Sequence, residues 1–343
     1  MSIATTRAAF RVARRWVLAG LAALALAGCA SVGGGGADPL PSWNDGANKQ
    51  AILKFVGDVT REGAFTFVAP AERIAVFDND GTLWVEQPMY TQIVFMLDWV
   101  KANAAAHPEW RDNAVFKALA ANDRQALAAM GERELLGFLF SAQGGISAEA
   151  YDVAASDWLA RTRDPRFKRL YTELVYQPQL ELLSYLRSKG FKTFIVSGGS
   201  VEFMRPWTER VYGIPPEQVI GSQNAMRYEL AGSKPSLMRE PKIDFIDDGP
   251  GKPVGIYKHI GRRPILAFGN SDGDWQMLQY TMAGSGARLA LIVHHDDAER
   301  EVAYDRQSKI GRLDQAWDDA LAKGWNVVSM KRDWKQILEP PRN

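Results

Sequence analysis

The chain of 343 residues has a single cysteine, Cys29, so no internal disulfide can form and a packed core must supply the stability. Histidine is scarce as well, with four in all. Two of them stand together in His294-His295-Asp296-Asp297. No further histidine accompanies the pair and its spacing is not that of a chelating helix face, so the segment reads as a solvated loop rather than a metal site. Neither sign of charge is in excess: 41 Lys and Arg against 40 Asp and Glu leave a formal +1, which gives nucleic acid no purchase as a partner. No apolar run reaches the roughly 20 residues that a membrane-spanning helix needs. The N-terminal run, Trp16 to Ala27, falls short, and no internal repeat suggests a solenoid.

What is present begins with that N-terminus. Arg7, Arg11, Arg14 and Arg15 form a basic segment without an acid ahead of the apolar run, which is the anatomy of a signal peptide. The run closes on Leu26-Ala27-Gly28-Cys29, which resembles the lipobox of bacterial lipoproteins. That resemblance implies a leader over residues 1–28, lipidation of Cys29 and attachment to a membrane of the cell envelope. Ala30 after the cysteine favours the outer membrane, on its periplasmic side. Residues 29–48 are rich in Gly, Pro and small polar side chains and read as a flexible tether. Loss of the four leader arginines turns the formal charge from +1 to −3, still with no nucleic-acid signature.

The body alternates between strand and helix signals. Arg73 to Phe77 is a short apolar run of strand character, closed by Asp78-Asn79-Asp80-Gly81-Thr82, where Gly and Thr supply a turn. Phe191 to Val196 is a second such strand, ending in Ser197-Gly198-Gly199-Ser200. Pro264 to Phe268 is a third, followed by Gly269-Asn270-Ser271-Asp272-Gly273-Asp274, and Leu289 to Val293 a fourth. Helical spacing separates them, so the expected fold is α/β, a Rossmann-like parallel sheet with helices on both faces. Ligands of such sheets bind beyond the carboxyl ends of the strands, where Asp78, Ser197 and Asn270 should meet. Residues 88–177 are helical in texture, with Ile93, Met96, Leu97 and Val100 on one stripe and Leu135, Leu136, Leu139 and Phe140 on another. The expected division is therefore a core over 49–87 and 178–343 with a helical insertion over 88–177. Met226 to Phe245 is ambiguous, with Gly232 suggesting a hairpin.

Asp-x-Asp-Gly-Thr after a strand, a Ser-Gly strand end, a lysine opening a helix (Lys252) and Gly-Asn-x-Asp-x-Asp after a further strand occur here in one order. Together they resemble the motif set of the haloacid dehalogenase-like phosphohydrolases, closest to the phosphoserine phosphatase-like branch. The resemblance implies that the helical insertion is a C1-type cap that covers the site and selects the substrate. It implies Asp78 as nucleophile, Asp80 as general acid and base, and Ser197, Gly198 and Lys252 as phosphate-binding groups. It further implies Mg2+ held by Asp78, Asp80, Asn270 and Asp274. Lys252 is preferred to Lys258 because it stands at the helix entry beside Pro253. Trp84 and Glu86, just past the first motif, are weaker candidates for touching the leaving group, with packing an equal role for Trp84.

Each motif alone has a plainer reading, since Asp78, Asp80, Asp272 and Asp274 are at home in turns and helix caps and Ser-Gly-Gly-Ser is a turn signal. One position departs from the pattern: Asn270 stands where many members of the resembling family carry an aspartate. A neutral amide there would weaken metal binding by one negative charge. The expected activity is Mg2+-dependent hydrolysis of a small phosphomonoester in the cell envelope through an aspartyl-phosphate. The alternatives are a haloacid dehalogenase-type hydrolase, against which Asp80 and Asp274 argue, and a non-catalytic envelope-binding lipoprotein on the same scaffold.

Overall fold

Ile74–Phe77 (β1) is buried at all four positions, which requires cover on both faces and suits the centre of a parallel sheet. The computed structural model describes residues 37–340; the leader, the lipobox with Cys29 and the first part of the tether lie outside the described residues. Within the body, β1 pairs in parallel with Lys192–Ser200 (β2) on one side and Leu266–Gly269 (β5) on the other. Outward from β2 come Val219–Ala231 (β3) and Lys234–Phe245 (β4), and outward from β5 come Leu289–His294 (β6) and Asn326–Ser329 (β7). The order is thus β4-β3-β2-β1-β5-β6-β7. All pairings are parallel except β3 with β4, a long antiparallel hairpin turning at Gly232. The parallel expectation therefore holds for the core, and the ambiguous stretch from Met226 forms the hairpin.

The two-residue period of the strands sorts their side chains onto two cores. Ala75, Phe77, Ile195, Phe268 and Leu291 enter one apolar cluster, while Ile74, Val76, Val196, Ala267 and Ile292 enter the other. The first cluster is covered by Ala47–Thr60 (α1), and by Gln177–Ser188 (α7) and Val201–Tyr212 (α8). The second lies under Gly251–Ile260 (α9), Trp275–Met282 (α10) and Gln315–Lys323 (α11). Between β1 and β2 the chain runs through Thr91–Asn103 (α2), Ala114–Ala120 (α3), Arg124–Ala129 (α4), Glu132–Ala142 (α5) and Ala148–Arg161 (α6).

Those helices are fastened to the β3–β4 hairpin. Arg239 of β4 is buried, stacks 3.7 Å above the Tyr151 ring of α6, and donates to the Gln143 carbonyl and, at 2.9 Å, to Asn224 Oδ1. Gly145 N–H donates to the Arg239 carbonyl at 2.7 Å. Two directed bonds and the face of the Tyr151 ring hold the buried guanidinium, so it fastens helices to hairpin.

Three expectations need correction. Leu40, Ser42 and Trp43, expected within the tether, are buried. Trp43 Nε1 donates to the Pro178 carbonyl and the indole packs edge-on against Trp334, so apolar packing anchors this stretch to the body. The second strand runs on through Ser197–Ser200 instead of ending at Val196, with a register irregularity against β3 that absorbs the two glycines. The His294–Asp297 segment is no solvated loop: His295 and Asp297 are each 2% exposed.

Candidate active site

Asp78 follows β1 directly, and its N–H still donates to the Phe268 carbonyl of β5 at 2.9 Å. The chain then turns tightly, the Asn79 carbonyl accepting from Thr82 and Leu83 N–H groups. Gly81 is obligatory in this turn. Its φ is +75°, and a Cβ would lie 2.1 Å from Asn270 Nδ2 and 2.4 Å from Glu86 Oε1. His295 holds the turn from outside: its Nε2 lies 2.8 Å from the Gly81 carbonyl, which can only accept, so that nitrogen carries the proton. Tyr212 of α8 donates to Asn79 Oδ1 at 3.1 Å.

Three of the four motifs converge on one ammonium. Lys252, at the start of α9, donates to Asp78 Oδ1 and to Asp274 Oδ1, each at 2.6 Å, and to the Val196 carbonyl at 2.9 Å. Burial opposes the charge on Lys252, but Asp274 and Asp78 outweigh it, so the ammonium is held above its ordinary value and stays protonated. Burial, followed by the Asp274 carboxylate, pushes Asp78 up, with Lys252 pulling the other way. One cation thus faces two carboxylates, and the cluster is short of positive charge. Lys258 is elsewhere, its ammonium 4.6 Å from the Phe245 ring centroid.

Asp80 is in a different setting from Asp78. Trp84 Nε1 donates to its Oδ1 at 2.9 Å, and burial still pushes its carboxyl up to about 6. Trp84 itself is 1% exposed, stacks on Trp207 at 4.5 Å between ring centroids and does not line the cavity. Its expected contact with a leaving group is therefore replaced by a bond that orients Asp80.

Ser197, Gly198 and Gly199 form part of the same cavity surface. Ser197 Oγ accepts from Gly199 N–H at 3.0 Å, which leaves the hydroxyl proton to donate elsewhere. Asp274 is fully buried; its Oδ2 accepts from the N–H groups of Asn270 and Ser271 while Oδ1 serves Lys252. With both oxygens in hydrogen bonds it supports the Asn270 loop and the Lys252 ammonium. Asn270 is clamped at both ends of its amide: Oδ1 accepts from Thr82 Oγ1 at 3.1 Å and Nδ2 donates to Glu86 Oε1 at 2.7 Å. Glu86 lines the cavity, and the same Oε1 accepts from Tyr304 OH at 2.7 Å. Burial raises the Glu86 carboxyl well above its usual range.

Among the described residues, no three His, Cys, Asp or Glu side chains converge as a metal-binding group. Asp78 and Asp80 line the cavity, and Asn270, 1% exposed with its amide oxygen on Thr82 Oγ1, is next in sequence to the lining residue Ser271; oxygen donors of this kind suit a hard cation that takes few protein carboxylates. The surplus negative charge around Lys252 favours a cation there as well.

The cavity, about 960 Å³, runs from these groups to an apolar side built by α2, α5 and β4. Sequence reasoning missed several of its parts. Gln92 of α2 accepts from Ser200 N–H at 2.8 Å through Oε1, and its Nε2 has no hydrogen-bond partner. Tyr90 lines the cavity, and Tyr304 and His295 brace it from behind. Only the proximity of Gln92 and Tyr90 to the first motif could have signalled them. Nothing local to Tyr304 marks it.

A mixed α/β sheet with an acid–lysine–acid cluster beyond its carboxyl edge is the setting of a hydrolase site. The chain belongs to the haloacid dehalogenase-like hydrolase family, whose sequence profile matches residues 75–279. Among solved structures it is similar to a conserved protein of unknown function from Anaerococcus prevotii DSM 20548, at 16% identity and TM-score 0.53, over 82% of this chain and 91% of that one. It is also similar to a protein of unknown function from Bordetella pertussis Tohama I, at 14% identity and TM-score 0.48, over 75% and 98%. A probable phosphoserine phosphatase from Vibrio cholerae matches at 14% identity and TM-score 0.39, over 77% and 68%. No curated protein matches. At these identities the structural likeness bears on the fold.

Proposed function

We propose that this protein is a Mg2+-dependent phosphomonoesterase that works through a phosphoryl group carried on Asp78. The observation that carries the reading is the 2.6 Å bond from Lys252 Nζ to Asp78 Oδ1 at the wall of a cavity shared with Asp80 and Ser197. Lys252 orients the carboxylate and leaves its other oxygen for attack at phosphorus. Asp80, pushed up to about 6, holds enough of its protonated form near neutrality to give a proton to the departing alkoxide as the ester P–O bond breaks. The resulting Asp80 carboxylate takes a proton from the water that then attacks phosphorus. Phosphate leaves, and Asp78 is a free carboxylate again.

Ser197 Oγ–H and the Gly198 N–H donate to the phosphoryl oxygens in this reading. Mg2+ would be held by Asp78, the Asp80 carbonyl and Asn270, and when bound it neutralises the phosphate charge. The helices between β1 and β2 serve as the cap over the site. The leader and lipobox support lipid attachment at Cys29 and a place in the cell envelope, with a small phosphorylated molecule as substrate and no nucleic acid partner.

The test is phosphate release from a set of phosphomonoesters with Mg2+ or with chelator, beside Asp78→Asn. The expected result is release that needs the metal, with the variant slower by at least about a thousandfold. Equal release by parent and variant would remove Asp78 as nucleophile.

A further inference from the structure

The reacting groups occupy one end of the cavity, and the other end determines what the phosphate can be attached to. Ile93 and Met96 of α2, Leu136 and Phe140 of α5, and Ile243 and Phe245 of β4 line that end. Arg239 joins β4 to the end of α5 through Gln143 and to α6 through the Tyr151 ring, and Phe95 of α2 packs edge-on against that same ring at 5.6 Å. The wall is therefore assembled before any ligand arrives.

Charge on this surface is one-sided. Among the described residues that line the cavity the one cation is Lys252, already bonded to Asp78 and Asp274. The other charged side chains there are carboxylates: Asp78, Asp80, Glu86, Asp244 and Asp248. A leaving group that carries a carboxylate, as an amino acid does, would meet several carboxyl groups and, apart from Lys252, only Lys258, which is not part of the lining and whose ammonium lies 4.6 Å from the Phe245 ring centroid. A sugar would set its hydroxyls against the apolar wall with few partners, at the cost of unpaired polar groups.

We propose that the substrate is the phosphate monoester of an uncharged, mainly apolar alcohol, whose hydrocarbon part seats between α2, α5 and β4. This rests on the phosphomonoesterase reading and sharpens it to a substrate class. Binding of that hydrocarbon is uniform between ground and transition states along most of its length, so it acts chiefly through KM.

The experiment is the full chain with Mg2+ and a series of ethyl, butyl and hexyl phosphate, beside phosphoserine and glucose 6-phosphate. The expected kcat/KM rises with alkyl length, by roughly threefold for each methylene that enters the wall, and hexyl phosphate exceeds phosphoserine and glucose 6-phosphate by about a hundredfold or more. Phe140→Ala and, separately, Ile243→Thr lower the ratio of hexyl to ethyl kcat/KM; using two sites keeps the test sound if one variant folds poorly. Release that is flat or falls with alkyl length, or that favours phosphoserine or glucose 6-phosphate, overturns the substrate class and leaves the phosphomonoesterase reading standing. No release from any ester overturns both.

Discussion

The two ends of the cavity are built in opposite ways. At the strand ends the reacting groups are held by directed bonds, some of them several at once: Lys252 donates to three acceptors and Glu86 Oε1 accepts from two donors. At the far end, apolar side chains from α2, α5 and β4 meet with no such network. Geometry at the first end is imposed by directional bonds, each with a narrow range of length and angle. At the second end only volume and apolar character are imposed, and many residues could satisfy them. The chemistry of the site is thus tied to particular atoms, while its choice of leaving group rests on a surface that substitution can reshape without disturbing the chemistry.

The largest way to break this contrast is to remove the ammonium. Lys252→Met leaves Asp78 and Asp274 facing each other in a buried site without their common partner, and is expected to cost about 3–5 kcal/mol of stability along with the activity. Urea unfolding measures the first and phosphate release the second. Asp274→Asn placed on top of Lys252→Met should recover part of the stability, because one buried charge disappears with its repulsion. It should recover none of the activity. If the double variant were no more stable than the single, the repulsion between the two carboxylates would not be the source of the loss.

A smaller effect is expected where the site departs from the family pattern. Asn270 was read from the sequence as a lost charge, but Glu86 lies against it, and Nδ2 donates to Glu86 Oε1 at 2.7 Å. An aspartate at 270 would turn that bond into a carboxylate–carboxylate contact. Asn270→Asp alone is therefore expected to bring no gain in Mg2+ affinity, whereas Asn270→Asp in a Glu86→Gln background should gain. The coupling between the two sites should lie at roughly 0.5–3 kcal/mol. Mg2+ titration by calorimetry, which needs no turnover, measures it, and additive effects would separate Glu86 from Asn270.

The same contrast explains what the sequence disclosed. Asp78, Asp80, Ser197, Lys252 and Asn270 were legible because each sits at a strand end or helix start within a compact motif, and the alternation of elements brings those ends to one edge. Trp84 was left between packing and a ligand contact because its neighbours are remote: the indole packs on Trp207, more than a hundred residues on. His295 and Asp297 were misread for the opposite reason, since a run of polar residues looks solvated until the tertiary structure supplies Gly81 and burial. The wall was illegible as a unit. Leu136 and Phe140 showed only the helical stripe of a core, and the reach of Ile243 and Phe245 depends on a hairpin whose geometry no local pattern specifies.

The smallest effect concerns Trp84, and it sharpens the claim that the polar end is set by single bonds. Trp84 Nε1–H stabilises the charged form of Asp80, whose carboxyl burial pushes up to about 6. Trp84→Phe removes that donor and keeps an aromatic ring against Trp207, so Asp80 should hold its proton to higher pH. A shift of about half a unit raises the protonated fraction at pH 7 by roughly two- to threefold. The sign of the outcome then depends on which step limits. For an alkyl phosphate, a poor leaving group, protonation by Asp80 limits, and release at pH 7 should rise with the alkaline limb of the profile displaced upward. For an aryl phosphate, whose leaving group needs little help, attack by water limits, and the ionised Asp80 is the form required. Its acid limb should also move upward, so release at pH 6 should fall. Parallel pH profiles of the two esters for parent and variant decide the matter: shifts in the same direction with opposite consequences for rate identify Asp80 as both the acid and the base, whereas unchanged limbs would reduce the Trp84 bond to packing.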